Sequence, residues 1–145
     1  MAPSLGKAGF SLIEALIVLV IMGLLLALAT PRIRDTTLTT EVRSARSAMA
    51  NLYARARMVA LQQRKTATLR FNGNHVYLTV PVGAVLDTVG AVTDLGSQYG
   101  VTLTASGNVT VLPTGLVNAA APITWKVSKY GKSDSLMITG YGRMQ

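Results

Sequence analysis

The sequence predicts an α+β fold: one long N-terminal helix followed by antiparallel β-strands. Three observations carry that expectation. Residues 10–30 are an apolar run, FSLIEALIVLVIMGLLLALAT, broken by a single charge. Residues 38–63 place apolar side chains at alternating spacings of four and three, the mark of an amphipathic helix. Residues 66–141 read as short alternating segments divided by turn signals, the mark of strands.

The apolar run would be about 32 Å long as a helix, enough to cross about 30 Å of hydrocarbon. Glu14 lies inside it. An acidic side chain at the centre of such a segment costs roughly 2.5–3.5 kcal/mol, so Glu14 is a functional candidate that calls for a partner. A short leader with one lysine, MAPSLGKAG, precedes the run. A secretory signal peptide would also have a basic start and an apolar stretch, and Ala27-Leu28-Ala29 imitates its cleavage site. A plain single-pass anchor would place Glu14 near the headgroups. Lys7 on one side and Arg32 with Arg34 on the other leave orientation undecided by charge.

Pro31 removes a helix hydrogen bond and disfavours helical backbone at Thr30. With Gly23 it marks the weakest stretch of the helix. Beyond it the apolar stripe runs Leu38, Val42, Ala45, Met49, Leu52, Ala56 and Val59, ending near the polar Gln63. This stripe suits packing on a sheet. A two-helix coiled coil also fits the spacing, though its alanines make a thin seam.

Strands are expected at 66–71 and 75–80 around the turn Asn72-Gly73-Asn74. A loop with room for one short strand fills Pro81–Gly100. A second hairpin is expected from 101–104 and 109–112 around 105–108, and a third from 123–128 and 135–139 around 129–134. Ile123, Trp125 and Val127 alternate with Thr124, Lys126 and Ser128, so one face should be buried and one wet.

Gly9-Phe10-Ser11-Leu12-Ile13-Glu14, followed by the long apolar stretch, resembles the class III signal of type IV pilins and pseudopilins. The resemblance implies a leader, 1–9, cut by a prepilin peptidase between Gly9 and Phe10, with Phe10 N-methylated. It implies a transmembrane and assembly helix, 10–30, and an extracytoplasmic globular domain, 31–145. The chain would reside in the bacterial inner membrane with a single span, then in a pilus or pseudopilus with other pilin subunits. Cleavage would place an ammonium on Phe10 about 6 Å along the helix from Glu14. The Glu14 carboxylate could then pair with a neighbouring subunit's amine and set the axial register of the filament.

Arg43-Ser44-Ala45-Arg46 through Ala54-Arg55-Ala56, then Gln63-Arg64-Lys65-Thr66-Ala67-Thr68-Leu69, is similar to the GspH/FimT-type minor pilins and pseudopilins. Their C-terminal signature is Gly-Arg followed closely by a second arginine. Gly142-Arg143-Met144-Gln145 keeps the first and has Gln145 in the second place. Some FimT-type proteins bind DNA through these arginines during natural transformation, which implies DNA as a possible partner here.

Charge is compatible with that partner: 14 Lys and Arg against 6 Asp and Glu give +8. On one continuous helix Arg32, Arg43, Arg46, Arg57 and Arg64 fall within a sector of about 60°. Arg143, Lys126, Lys129 and Lys132 share the last hairpin and tail with Tyr130 and Tyr141 interleaved, a pattern suited to a nucleic-acid backbone and stacked bases. The same cations could instead cover the apolar stripe with their stems, or keep the domain soluble.

The inventory offers no catalytic site. His75 is the only histidine and there is no cysteine, so neither a metal site nor a disulfide is expected. Gly131-Lys132-Ser133 imitates the end of a P-loop, but Lys126 stands where the first glycine is needed. No enzyme activity and no cofactor are assigned.

Overall fold

The computed structural model describes residues 11–145, apart from the side chains of residues 28–32. The chain divides between Thr37 and Leu38 into two compact units. Helix α1, Leu12–Gln63, contributes to both. Its backbone stays helical through Thr30 and Pro31, so the weak stretch does not interrupt it. Arg64, with φ 51°, ends it in the left-handed conformation that usually closes a helix.

In the second unit α1 buries Val42, Ala45, Met49, Tyr53, Ala56 and Ala60. The expected stripe placed Leu52 and Val59 where Tyr53 and Ala60 are found. A strict four-three alternation averages 3.5 residues per step, whereas a straight α-helix needs 3.6, so the stripe shifts by one residue along its length. Leu52 and Val59 remain half-buried at its margin.

Eight strands follow, in two sheets. Strands β1 (Ala67–Asn72), β2 (His75–Val82), β3 (Val85–Thr88), β4 (Thr93–Asp94) and β6 (Val109–Val111) form the first. Its order is β3-β2-β1-β6, with β4 also on β2. Strands β5 (Thr102–Ala105), β7 (Ile123–Lys129) and β8 (Lys132–Ile138) form the second, in the order β5-β7-β8. All pairings are antiparallel. The core joins the helix stripe to Leu69, Val76, Leu78 and Val109 of the first sheet and to Trp125, Val127, Leu136 and Ile138 of the second. Phe71 meets Trp125 edge-on, ring centroids 4.9 Å apart, where the sheets adjoin.

Two expectations are corrected. Residues 105–108 do not close a hairpin: β5 pairs with β7, and β6 pairs with β1. Ser106 still bonds to Thr124 through both its N–H and its Oγ, while Asn108 Oδ1 accepts from Phe71 N–H. The chain thus changes sheets within three residues. Polar turn residues mark where a strand ends but not which strand comes next. Residues 81–100 also hold more structure than one strand. Val82 and Val85 pair across Gly83-Ala84, with Gly83 at φ 65°. Helix α2, Leu95–Tyr99, is capped by Asp94, whose carboxylate accepts from Ser97 N–H, and ends at Gly100 with φ 63°. Gly-X turns and Asp and Gly caps are both legible signals.

Asn74 fastens these parts together. Its backbone carbonyl accepts from Leu95 N–H at 3.0 Å, and its side-chain oxygen accepts from Leu103 N–H at 2.9 Å. One turn residue therefore joins the β1–β2 hairpin to α2 and to the edge of the second sheet.

The β7–β8 turn is tighter than expected: Lys129 pairs with Lys132 around Tyr130 (φ 45°) and Gly131 (φ 82°). Two consecutive left-handed residues define a type I′ turn, which favours Asn-Gly. Tyr130 is exposed and gains little there. Tyr130→Asn should raise stability by about 0.5–1 kcal/mol, read as a higher urea midpoint at unchanged slope.

Candidate assembly helix and cationic surface

Glu14 lies in the first turn of α1. The Ser11 carbonyl accepts from the N–H groups of Glu14 (3.0 Å) and Ala15 (3.1 Å), so Ser11 stands at the helix entrance. Ser11-x-x-Glu14 has the spacing of a capping box, a signal the sequence reading passed over. A carboxylate at this end of the helix dipole gains about 0.3–1 kcal/mol, which offsets only part of the cost of placing it in an apolar medium. Its neighbours are uncovered. Leu12 is 84% exposed, and every large apolar residue from there to Leu26 is exposed as well. Gly9 and Phe10 lie outside the described residues. Among the described residues no helix is long and apolar enough to cross a membrane. The expected span, 10–30, runs past the described residues at its start and past the described side chains at its end.

The C-terminal cations do not form one cluster. Lys126 is exposed on the outer face of the second sheet, between Thr104 and Ser135. Lys129 turns to the inner face, where its ammonium lies 2.7 Å from Glu41 and donates to the Tyr99 carbonyl at 3.0 Å. Its side chain is 16% exposed, so it serves as a tie among α1, α2 and β7. Lys132 begins β8 opposite Lys129. Arg143 is exposed at the other end of that hairpin, its carbonyl accepting from Thr139 N–H. A seven-residue strand separates the two ends, about 20 Å.

The helix arginines are divided too. Arg46 Nε donates to the Ser135 carbonyl at 3.2 Å and lies 3.6 Å from the Asp134 carboxylate. Arg55 lies against Gly90 and Arg57 against Gly115, so close that a Cβ at Gly90 would meet the Arg55 guanidinium at 2.5 Å. Arg55 and Arg57 thus drape over loops, as stems covering a stripe would, while Arg46 is tied to β8.

The tail folds back along β8. Met137 and Gln145 exchange two backbone hydrogen bonds, and Tyr53 donates its hydroxyl to the Gly142 carbonyl at 3.1 Å. Burial pushes the Tyr53 phenol above its ordinary 10.0, and the nearby Arg57 guanidinium pulls it partly back. Periodicity read strictly at 3.5 had missed Tyr53; a 3.6 average finds it. Trp125 Nε1 is buried without a hydrogen-bond partner, beside Phe71. Among the described residues no group of three or more His, Asp or Glu is placed to hold a metal ion. His75 Nδ1 lies 3.8 Å from Asp94 at the surface.

Residues 5–30 match the prokaryotic N-terminal methylation motif. The structure is similar to the type IV minor pilin FimU of Pseudomonas aeruginosa, with TM-score 0.62 at 19% identity, over 73% of this chain and 87% of that one. This is a type IV pilin fold. A similar match is found to the minor pseudopilin EpsH of the type 2 secretion system of Vibrio cholerae, with TM-score 0.60 at 12% identity, over 72% of this chain and 94% of that one. No curated protein matches the sequence significantly. The α+β class and the pilin resemblance therefore hold, on the motif for the N-terminus and on the fold for the remainder.

In this pilin fold the Tyr53 tie can be tested alone. Tyr53→Phe keeps the stripe filled but removes the bond to Gly142, and should lower stability by about 1 kcal/mol and speed amide exchange in the tail. A phenol raised on folding stabilises fully below pH 10 and loses that contribution as pH climbs through its raised folded value. The gap between parent and Tyr53→Phe urea midpoints should therefore narrow above pH 10.

Proposed function

We propose that the chain is a minor pilin or pseudopilin, built into a type IV pilus or a type II secretion pseudopilus through its N-terminal helix. One observation carries this reading: an uncovered apolar helix with a lone carboxylate, Glu14, in its first turn. Burying each large side chain there would yield about 1.5–3 kcal/mol, first in the inner membrane and then among neighbouring helices of a filament. The matched methylation motif supports cleavage between Gly9 and Phe10 by a prepilin peptidase and methylation of Phe10. The new amine would be the partner of Glu14 on an adjacent subunit. In that setting 1–9 is the leader, 10–30 the membrane and assembly helix, and 31–145 the extracytoplasmic domain.

A second reading makes the same subunit a DNA receptor in natural transformation. Exposed Arg143, on a tail fixed by Tyr53, favours it, with Lys126 and Lys132 as further candidates. Gln145 in place of the second arginine, and Lys129 committed to Glu41, weigh against it.

Glu14→Ala should leave leader cleavage intact, seen by mass spectrometry of the new N-terminus, while incorporation into sheared filaments drops severalfold. Unchanged incorporation would sink the register role. For the DNA reading, Arg143→Ala should weaken duplex binding and reduce the log–log salt slope by about 0.9. A parent protein that does not bind at low salt removes that reading.

A further inference from the structure

The end of the globular unit where α1 finishes has an unusual surface. Residues 42–86 contain no Asp or Glu but seven Arg and Lys. Register places part of that charge beside exposed apolar tips. Thr68 pairs with Thr79, so β2 runs past the start of β1 and brings Val82 level with Lys65. Val85 faces Val82 across the Gly83-Ala84 turn. Ala67 also pairs with Val111, so the following loop leaves the sheet at this same end. There Gly115 abuts the helix: a Cβ on it would lie 3.4 Å from Leu61 Cδ2 and 3.2 Å from Arg57 Nε.

Of the ten large apolar side chains exposed in Leu38–Gln145, six are here: Met58, Leu61, Val82, Val85, Leu86 and Leu116. They project from three separate segments, namely the helix end, the β2–β3 turn and the loop before Val117. Arg57, Arg64 and Lys65 stand among them, all exposed. The nearest carboxylate along the sheet is Asp87, across from Val80.

We propose that this end of the unit docks on an anionic lipid bilayer, its aliphatic tips in the headgroup–acyl boundary and its three cations on lipid phosphates. Aliphatic protrusions ringed by Arg and Lys are the composition of interfacial membrane binding. A nucleic acid would use aromatic platforms for its bases, but the exposed tyrosines, Tyr130 and Tyr141, belong to the other sheet's turns. A phosphodiester backbone would have no use for Val82, Val85 and Leu116.

The experiment uses the fragment 35–145, which keeps every buried core residue, Val42 to Ile138. The apolar helix is absent from it, so insertion of that helix cannot be mistaken for docking. Co-sedimentation compares vesicles of pure phosphatidylcholine with vesicles containing 30% phosphatidylglycerol. Binding should be at least tenfold tighter to the anionic vesicles and fall with salt. Arg64→Glu with Lys65→Glu should reduce it by more than tenfold. Val82→Asp with Val85→Asp, in an exposed turn, should do the same while far-UV circular dichroism stays unchanged. No binding to anionic vesicles at low salt overturns the proposal. So does binding that ignores the valine substitutions and is fully displaced by duplex DNA, which would show a general polyanion surface.

Discussion

Everything in the globular unit rests on a helix stripe that is narrow at its ends and wide at its centre. Ala45, Ala56 and Ala60 are completely buried, and between them stand Met49 and Tyr53. Alanines let sheet side chains reach the helix backbone, while the two large residues fill the central gap. Core volume is tightly constrained in such a contact, since even one extra methylene in a packed interior costs about 1–3 kcal/mol. The spacing of this stripe decides which helix face is left for the arginines. Arg55 and Arg57 lie beside it against the loop glycines Gly90 and Gly115, and Arg46 reaches the Ser135 carbonyl of β8.

The two stretches of α1 are helical for different reasons. From Val42 to Ala60 a buried stripe supplies the stability, as it does for most helices in globular proteins. From Leu12 to Leu26 nothing in the described chain covers the apolar surface, so that stretch requires an environment. Lipid and the helices of other subunits meet this need equally well, as both offer apolar contact. In the proposed filament the Glu14 carboxylate would distinguish them, by pairing with the amine of a neighbouring subunit.

Much of the fold could be read locally, and the failures share one cause. Asn72-Gly73-Asn74 announced its hairpin, and Trp125 and Val127 their buried face. Asp94 and Gly100 would have announced α2 had their spacing been weighed as caps. The sheet change at Ser106–Asn108 could not be read, because the choice between β6 and β7 as the partner of β5 depends on contacts far along the chain. The same holds for the candidate site. Glu14 stands out in any reading of composition, as its context is its immediate neighbours. Lys129 looked like its neighbouring lysines until Glu41, remote in sequence, was found beside it. Tyr53 gave no hint of Gly142 for the same reason.

The switch between sheets also means that the strands of the second sheet are complete in chain order only well after those of the first. The first sheet is finished once Val111 has left the ribosome, since β6 completes it on β1. The second cannot begin then, because β5 must wait for β7 and β7 is sealed only by β8. For that interval Leu103 has no strand partner, and the helix face later held by Lys129 and Gly142 stays open. Such a half-closed unit exposes apolar surface, the usual hazard of non-local β pairing. Residues 142–145, by returning along β8 and with the Gly142 carbonyl accepting from the Tyr53 hydroxyl, cover that face.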